Sequence, residues 1–188
     1  LAEDRIYTSY EEMARAEAAR PDGIEAVSIV TPNHMHYGPA KAFLEAGIHV
    51  ICDKPITSTL EDARKLAAIV PAKGARFLLT HNYTGYPLIR QARELAESGA
   101  LGQIRVVQVE YPQDWLTEAA GDDNKQAAWR TDPARSGAGG AIGDIGTHAY
   151  NLARFVTGLK TQAVSADLTS FVPGRQLDDN VHILLRFE

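Results

Sequence analysis

The first hundred residues alternate between two patterns, and that alternation limits the fold more than any other feature of the chain. Short apolar runs stand at Ala26 to Val30, His49 to Cys52 and Arg76 to Thr80. Between and after them, apolar residues recur at helical spacing. The first such set is Ala40, Phe43 and Leu44, stopped by Gly47, and the second is Leu60, Ala63, Leu66, Ala67 and Val70, ended by Pro71. Leu88, Ala92, Leu95 and Ala96 make the third set, closed by Gly99. A leading helix opens on the capping box Ser9-x-x-Glu12 and runs to about Arg20, before the turn Pro21-Asp22-Gly23. Strands joined through helices pair in parallel by right-handed crossovers, because a tight turn cannot bring the chain back in the same direction. The front of the chain therefore reads as part of a doubly wound sheet with buried apolar strands.

After Gly99 the pattern changes. Val107, Val109 and Tyr111 alternate with Gln108 and Glu110, which predicts a strand with one wet face. Residues 112–136 are polar and irregular and read as one long loop, a length associated with function or mobility. Helical spacing returns from Ile145 to Thr157, with Gly158 as the stop. Ile145, Ala149, Leu152 and Val156 form its buried stripe, and Asp144, His148 and Asn151 the stripe beside it. Val164, Ala166 and Leu168 then alternate, Pro173-Gly174 turns the chain, and Val181, Ile183, Leu185 and Phe187 alternate again. The expected fold class is α/β: a partial doubly wound parallel sheet over residues 1–83, followed over 84–188 by an α+β domain with a mostly antiparallel sheet.

Composition removes several classes of function. The chain has 188 residues, 45% hydrophobic and 23% charged, enough for a real core. Its net charge of −5, with Lys and Arg scattered, leaves no basic footprint for nucleic acid. No apolar run approaches the ~20 residues of a membrane-spanning helix, so no membrane partner is expected. Cys52 is the single cysteine and has no partner for an internal disulfide, which points to a reducing compartment and hence the cytoplasm. The opening L-A-E-D-R lacks the basic start and apolar middle of a signal peptide. With no initiator Met and a helix as its first element, the chain reads as one trimmed at its front.

Polar residues gather where the apolar runs end, and open parallel sheets bind ligands at the carboxyl ends of their strands. Thr31-Pro32-Asn33-His34-x-His36 follows the first run, Asp53-Lys54-Pro55 the second and His81-Asn82-Tyr83 the third. A turn with Asn33 as a helix cap accounts equally well for the first motif taken alone. His34-x-His36 has no third His or Cys nearby, so no metal is expected. Lys54 can stabilise a developing alkoxide, and Asp53 can accept from a sugar hydroxyl. The Lys54–Pro55 bond is a candidate for the cis form, which would aim the lysine. In G-G-A-I-G-D-I-G-T-H-A-Y-N-L, Asp144 and His148 stand four apart, so on a helix they share a face. A carboxylate beside an imidazole fixes its tautomer and favours its protonated form, as a general base requires. Gly137, Gly139, Gly140 and Gly143 would let backbone approach a ligand there. A cap and a satisfied core histidine are the bland alternative. Trp129-Arg130, at the end of the long loop, suits a sugar ring or a phosphate, or plain loop packing.

In order along the chain, these motifs resemble the Gfo/Idh/MocA family of NAD(P)-dependent oxidoreductases, which includes inositol dehydrogenases and glucose-fructose oxidoreductase. The resemblance runs from Y-T-S-Y-E-E-M through A-V-S-I-V-T-P-N-H-M-H, H-V-I-C-D-K-P and L-T-H-N-Y to W-R, the Asp144–His148 segment and D-D-N-V-H-I-L-L-R-F-E. It implies a Rossmann domain, with NAD or NADP as cofactor. By the resemblance, Thr31, Pro32, Asn33 and His36 line the nicotinamide half, Asp53 meets its ribose, and Asn82, Trp129 and Arg130 border the cofactor. Lys54 contacts both cofactor and substrate, and Tyr83, Arg130 and Asn151 belong to the substrate side. Lys54, Asp144 and His148 are the implied catalytic set, with His148 taking the hydroxyl proton.

Three departures from the family pattern stand out. The acid before the lysine is Asp53 where the family usually has Glu, and Asn151 stands where many members carry a further acid. The glycine-rich phosphate turn is absent and would lie upstream of Leu1. The resemblance implies hydride transfer between a secondary alcohol of a sugar or cyclic polyol and NAD(P), by a homo-oligomer of two or four chains. Two other activities occur on such a fold: NAD-dependent cleavage of glycosidic bonds without net redox change, and non-catalytic cofactor sensing or co-repression.

Overall fold

The structure is a computed structural model and describes residues 3–119 and 123–188. Leu1 and Ala2, at the start of the expected first domain, and residues 120–122 of the expected loop lie outside the described residues. The chain divides into two compact units, Leu1–Thr80 and His81–Glu188.

The first unit is built on a parallel sheet of β1 (Ala26–Ile29), β2 (His49–Asp53) and β3 (Phe77–Thr80), in the order β1-β2-β3. Register pairs Val27 with Val50 and Ile29 with Cys52, then Val50 with Phe77 and Asp53 with Thr80. The helices are α1 (Tyr10–Ala19), α2 (Tyr37–Glu45) and α3 (Leu60–Ala68). Ser9 caps α1 by accepting the Glu12 N–H, and Thr59 caps α3 by accepting that of Asp62. Two right-handed crossovers stepping the same way across a sheet lie on one face. Ala14, Ala40, Phe43, Leu44 and Leu66 accordingly pack with Ile29, Val50 and Cys52 in one core. The strands are thus buried on one face rather than two, and Ile51 and Leu78, at 37% and 59% exposure, mark the other. Burial pushes the Cys52 thiol up to about 12, with the neighbouring Asp53 charge adding to the effect, so it is an inert core residue.

Helix α4 (Pro87–Glu97) belongs to the second unit, although its spacing continues the alternation of the first. It packs on α7 (Thr147–Thr157), where the Arg93 guanidinium lies 4.8 Å from the centre of the Phe155 ring. The expected long loop contains two short helices, α5 (Lys125–Arg130) and α6 (Pro133–Ser136), capped by the Asn124 and Asp132 side chains. The expected strand at Val107–Tyr111 is absent: a strand needs a ladder, and among the described residues β4 (Thr161–Thr169) and β5 (Asn180–Phe187) pair antiparallel with each other alone. Gly158, at φ +71°, ends α7 in the left-handed conformation that glycine adopts without strain.

Candidate active site

In the first unit, the loops after β1 and β2 are tied together by His36. Its ring is fully buried, with Nδ1 2.8 Å from the Pro55 carbonyl and Nε2 2.8 Å from that of Thr31. A carbonyl only accepts, so a ring N–H is the donor in each such bond. Its buried position between the two carbonyls gives His36 a bracing role between two strand ends. The 3-10 turn Asn33–Met35 follows Pro32, and Asn33 is buried within it. The Lys54–Pro55 bond is cis. Asp53 sits at the last register position of β2, where its Oδ1 accepts from the Thr80 hydroxyl at 2.8 Å. A carboxylate has room for further donors, so this leaves capacity for a sugar hydroxyl. Thr31, Pro32, Asn33, His36, Asp53 and Lys54 therefore share one edge of the sheet, as the sequence predicts.

In the second unit, His148 is the centre of an aromatic cluster. It is 8% exposed, the most buried residue of α7, where the sequence places it at the margin of an apolar stripe. The Tyr83 ring meets it edge-on at 4.7 Å between centroids, with His81 at 6.3 Å and Tyr111 at 6.4 Å. The Tyr83 and Tyr111 hydroxyls hydrogen-bond at 2.5 Å. Tyr83 comes from the 3-10 turn Asn82–Gly85, on which Asn82 is exposed.

Asp144 does not lie on a regular α-helix. It stands in a π-helical turn, Ile142–Gly146, that leads into α7. The Asp144 Oδ2 accepts from the Arg130 Nε at 3.1 Å. Arg130 also donates to the Gln126 carbonyl and side chain, and its guanidinium lies 4.1 Å from the centre of the Trp129 ring and 5.6 Å from that of Trp115. Trp129-Arg130 thus forms the end of a helix and the partner of the acid. Gly140 permits close packing within the protein: a Cβ there would stand 2.2 Å from the Asp178 carbonyl oxygen. Asn151 is half-buried on α7.

Trp115, Asp178 and the place of Tyr111 beside His148 escape the sequence reading, whereas His81 belongs to the strand-end motif it named. Tyr111 falls in an alternating run that imitates a strand, and Asp178 is distant in sequence from the turn it holds. Among the described residues, no group of three or more His, Cys, Asp or Glu could hold a metal, and no helix is long and apolar enough to cross a membrane.

Comparison with known proteins covers both units. A model described as an oxidoreductase family with an NAD-binding Rossmann fold matches residues 2–96, and the GFO/IDH/MocA C-terminal domain matches residues 89–188. Levoglucosan dehydrogenase of Pseudarthrobacter phenanthrenivorans is 38% identical over 157 residues, 84% of this chain and 38% of that protein. The crystal structure of an oxidoreductase from Sinorhizobium meliloti is 55% identical with a TM-score of 0.83, covering 98% of this chain and 47% of that one. An inositol dehydrogenase homolog from Azotobacter vinelandii, complexed with NADH and myo-inositol, is 35% identical with a TM-score of 0.87, over 98% and 47% of the two chains. The chain spans half or less of the length of these relatives. A family match over each half, on a parallel sheet followed by an antiparallel ribbon, places this chain in the GFO/IDH/MocA family of oxidoreductases.

Proposed function

We propose that the protein is an NAD(P)-dependent dehydrogenase acting on a secondary alcohol of a sugar or cyclic polyol. The observation that carries this reading is the environment of His148: a nearly buried imidazole among aromatic rings, one turn beyond a carboxylate braced by an arginine. In that role His148 takes the proton of the substrate hydroxyl, and Asp144, steadied by Arg130, orients the reacting group. Lys54 stabilises the oxyanion as it develops. Tyr83, Arg130 and Asn151 supply further polar contacts to the substrate.

The first unit fits the nicotinamide–ribose half of a dinucleotide in its donor set: a carboxylate for ribose hydroxyls, an ammonium, and two loops held still by a buried imidazole. When bound, the cofactor supplies the hydride acceptor. Thr31, Pro32, Asn33, His36 and Asp53 shape that end of its site, and Asn82, Trp129 and Arg130 border it. In this division of labour residues 1–83 serve the cofactor and 84–188 the substrate. The relatives solved or named with myo-inositol and levoglucosan support a polyol or sugar substrate. The same reading makes the protein a cytoplasmic homo-oligomer of two or four chains.

The test is a screen of sugars and cyclic polyols with NAD+ and NADP+, following nicotinamide absorbance. Reduced nicotinamide should accumulate with at least one secondary alcohol. Lys54→Ala and His148→Ala should each lower turnover by about 10²–10⁴-fold while the far-ultraviolet circular dichroism is unchanged. Near-normal turnover in either variant removes that residue from the mechanism, and no reduction with any alcohol overturns the assignment.

A further inference from the structure

The connection between β4 and β5, residues 170–179, supplies none of the residues assigned above, yet its polar groups reach both sides of the Arg130–Asp144 pair. Asp179 knots the connection internally. It accepts the N–H groups of Phe171 and Val172 at 2.8 and 3.0 Å and the Ser170 hydroxyl at 3.2 Å, and pairs with Arg175 at 3.3 Å. The Arg175 side chain, 6% exposed, donates to the Leu116 carbonyl at 2.7 Å and to that of Glu118 at 3.1 Å. Leu116 follows Trp115, the indole that faces Arg130.

Asp178 reaches the other side. Its Oδ1 accepts the Gly140 N–H at 2.8 Å, its Oδ2 the Ile142 N–H at 2.7 Å, and its carbonyl the Ala141 N–H at 2.8 Å. One residue therefore holds three consecutive amides from 36 to 38 positions away. The segment it grips leads directly into the π-turn, because the Asp144 N–H donates to the Gly140 carbonyl at 3.0 Å. Hydrogen bonds to an ionised carboxylate are the strong ones, and π-turns are rare. Relaxation of this turn to α-helix would rotate the preceding residues by about 100°, the angle one residue spans, and carry Asp144 away from Arg130.

We propose that Asp178 is a positioning residue: its carboxylate sets the backbone at 140–142 so that Asp144 meets Arg130, while Arg175 fixes the Trp115 side of the same pair. The catalytic consequence rests on the roles proposed for Asp144 and His148; the geometric claim does not. Asp178→Asn keeps the size of the side chain but turns one acceptor into a donor, so one of the two amides loses its partner.

Amide and arginine side-chain ¹H–¹⁵N spectra of the chain read the geometry directly. In Asp178→Asn and Asp178→Ala the Gly140 and Ile142 resonances should move, and the Arg130 Nε–H should exchange with water at least about tenfold faster. The amides of the 53–55 loop should stay in place. If Asp178→Ala does not fold, Asp178→Asn, which retains one acceptor, reads the same signals. An Arg130 Nε–H that is unchanged while the two amides move overturns the proposal.

In turnover, Asp178→Asn should lower kcat about 10–100-fold, as misplacement of a catalytic group does, with the cofactor KM unchanged. On an Asp144→Asn background it should add no further loss. A fully additive second loss overturns the proposal, since Asp178 would then act by another route. Spectra that change as expected in a protein that oxidises no alcohol uphold the positioning role and defeat the dehydrogenase reading.

Discussion

The two units are stabilised by different physics. In the first, the helices and the sheet share one apolar core, and the polar loops at the strand ends are carried on that frame. In the second, the β4–β5 ribbon is largely exposed on both faces, and the connection between its strands reaches remote backbone through the Gly140 and Ile142 N–H groups that Asp178 accepts and the Leu116 carbonyl to which Arg175 donates. Apolar packing is non-directional and tolerant, whereas a hydrogen bond specifies an angle and a distance. The loops after β1 and β2 therefore inherit their place from a sheet edge. Asp144 is placed by individual polar contacts, so single substitutions can move it without unfolding the unit.

The largest effect should come from the core of the first unit. Phe43→Ala removes a fully buried ring and should cost about 3–5 kcal/mol. Both tryptophans lie in the second unit, so their fluorescence follows that unit during urea unfolding. Amide exchange in β1 and β2 should report a large loss of protection in Phe43→Ala. A loss under about 1 kcal/mol would break the comparison, because the first unit would then not depend on its apolar core.

Next in size is Arg175→Met. It leaves the Asp179 carboxylate without its cation and the Leu116 and Glu118 carbonyls without a donor. Removing one partner of a buried pair costs about 3 kcal/mol or more. The tryptophan-detected urea midpoint should fall, while exchange in β1 and β2 stays put. The same carboxylate gives a pH test. Burial opposes its ionisation, but the N–H groups of Phe171 and Val172, the Ser170 hydroxyl and Arg175 outweigh that and hold the Asp179 carboxyl below its usual range. A depressed native value means stability that is complete above the unfolded value of about 3.9 and lost as pH falls through the native one. The second unit should therefore weaken as pH drops below about 4, and Asp179→Asn should flatten that dependence. An unaltered acid profile in the variant would assign the effect to other carboxylates.

The same contrast separates what the sequence discloses from what it conceals. Helical spacing and short apolar runs announce the order of elements in the first unit, since burial against one core imposes those periods. The polar strand ends Thr31 to His36 and Asp53-Lys54 are legible for the same reason: a parallel sheet displays them at a known edge. In the second unit the helix from Ile145 to Thr157 is visible, but the π-turn before it is not, because nothing in G-D-I-G marks a single extra residue in a turn. Tyr111 alternates like a strand residue, but among the described residues no strand pairs with its run. The Asp178 grip on residues 140–142 joins positions whose pairing leaves no periodic trace. Long-range polar contacts escape pattern reading because they depend on where the chain returns, not on what stands nearby.

Smaller effects sharpen the comparison from the opposite end. Ser9→Ala and Thr59→Ala each remove a hydroxyl that accepts one N–H at the start of a helix of the first unit. Each should cost about 1 kcal/mol, well below Phe43→Ala, as caps trim ends rather than cores. Reductions of equal size in exchange protection along β2 would show that the caps act on the whole unit, as cooperative unfolding requires.

Smallest of all should be Leu184→Ala. Leu184 is 78% exposed on β5, opposite Ser165 of β4, so truncation leaves no cavity and removes little from water's exclusion. The change in the tryptophan-detected midpoint should stay within about 0.5 kcal/mol. Its neighbour Ile183, at 38% exposure opposite Ala166, is the internal control and should cost more. A Leu184→Ala loss as large as that of Phe43→Ala would mean that the exposed face of the ribbon is covered in solution. The second unit would then rest on apolar packing after all, and the distinction between the two units would fail.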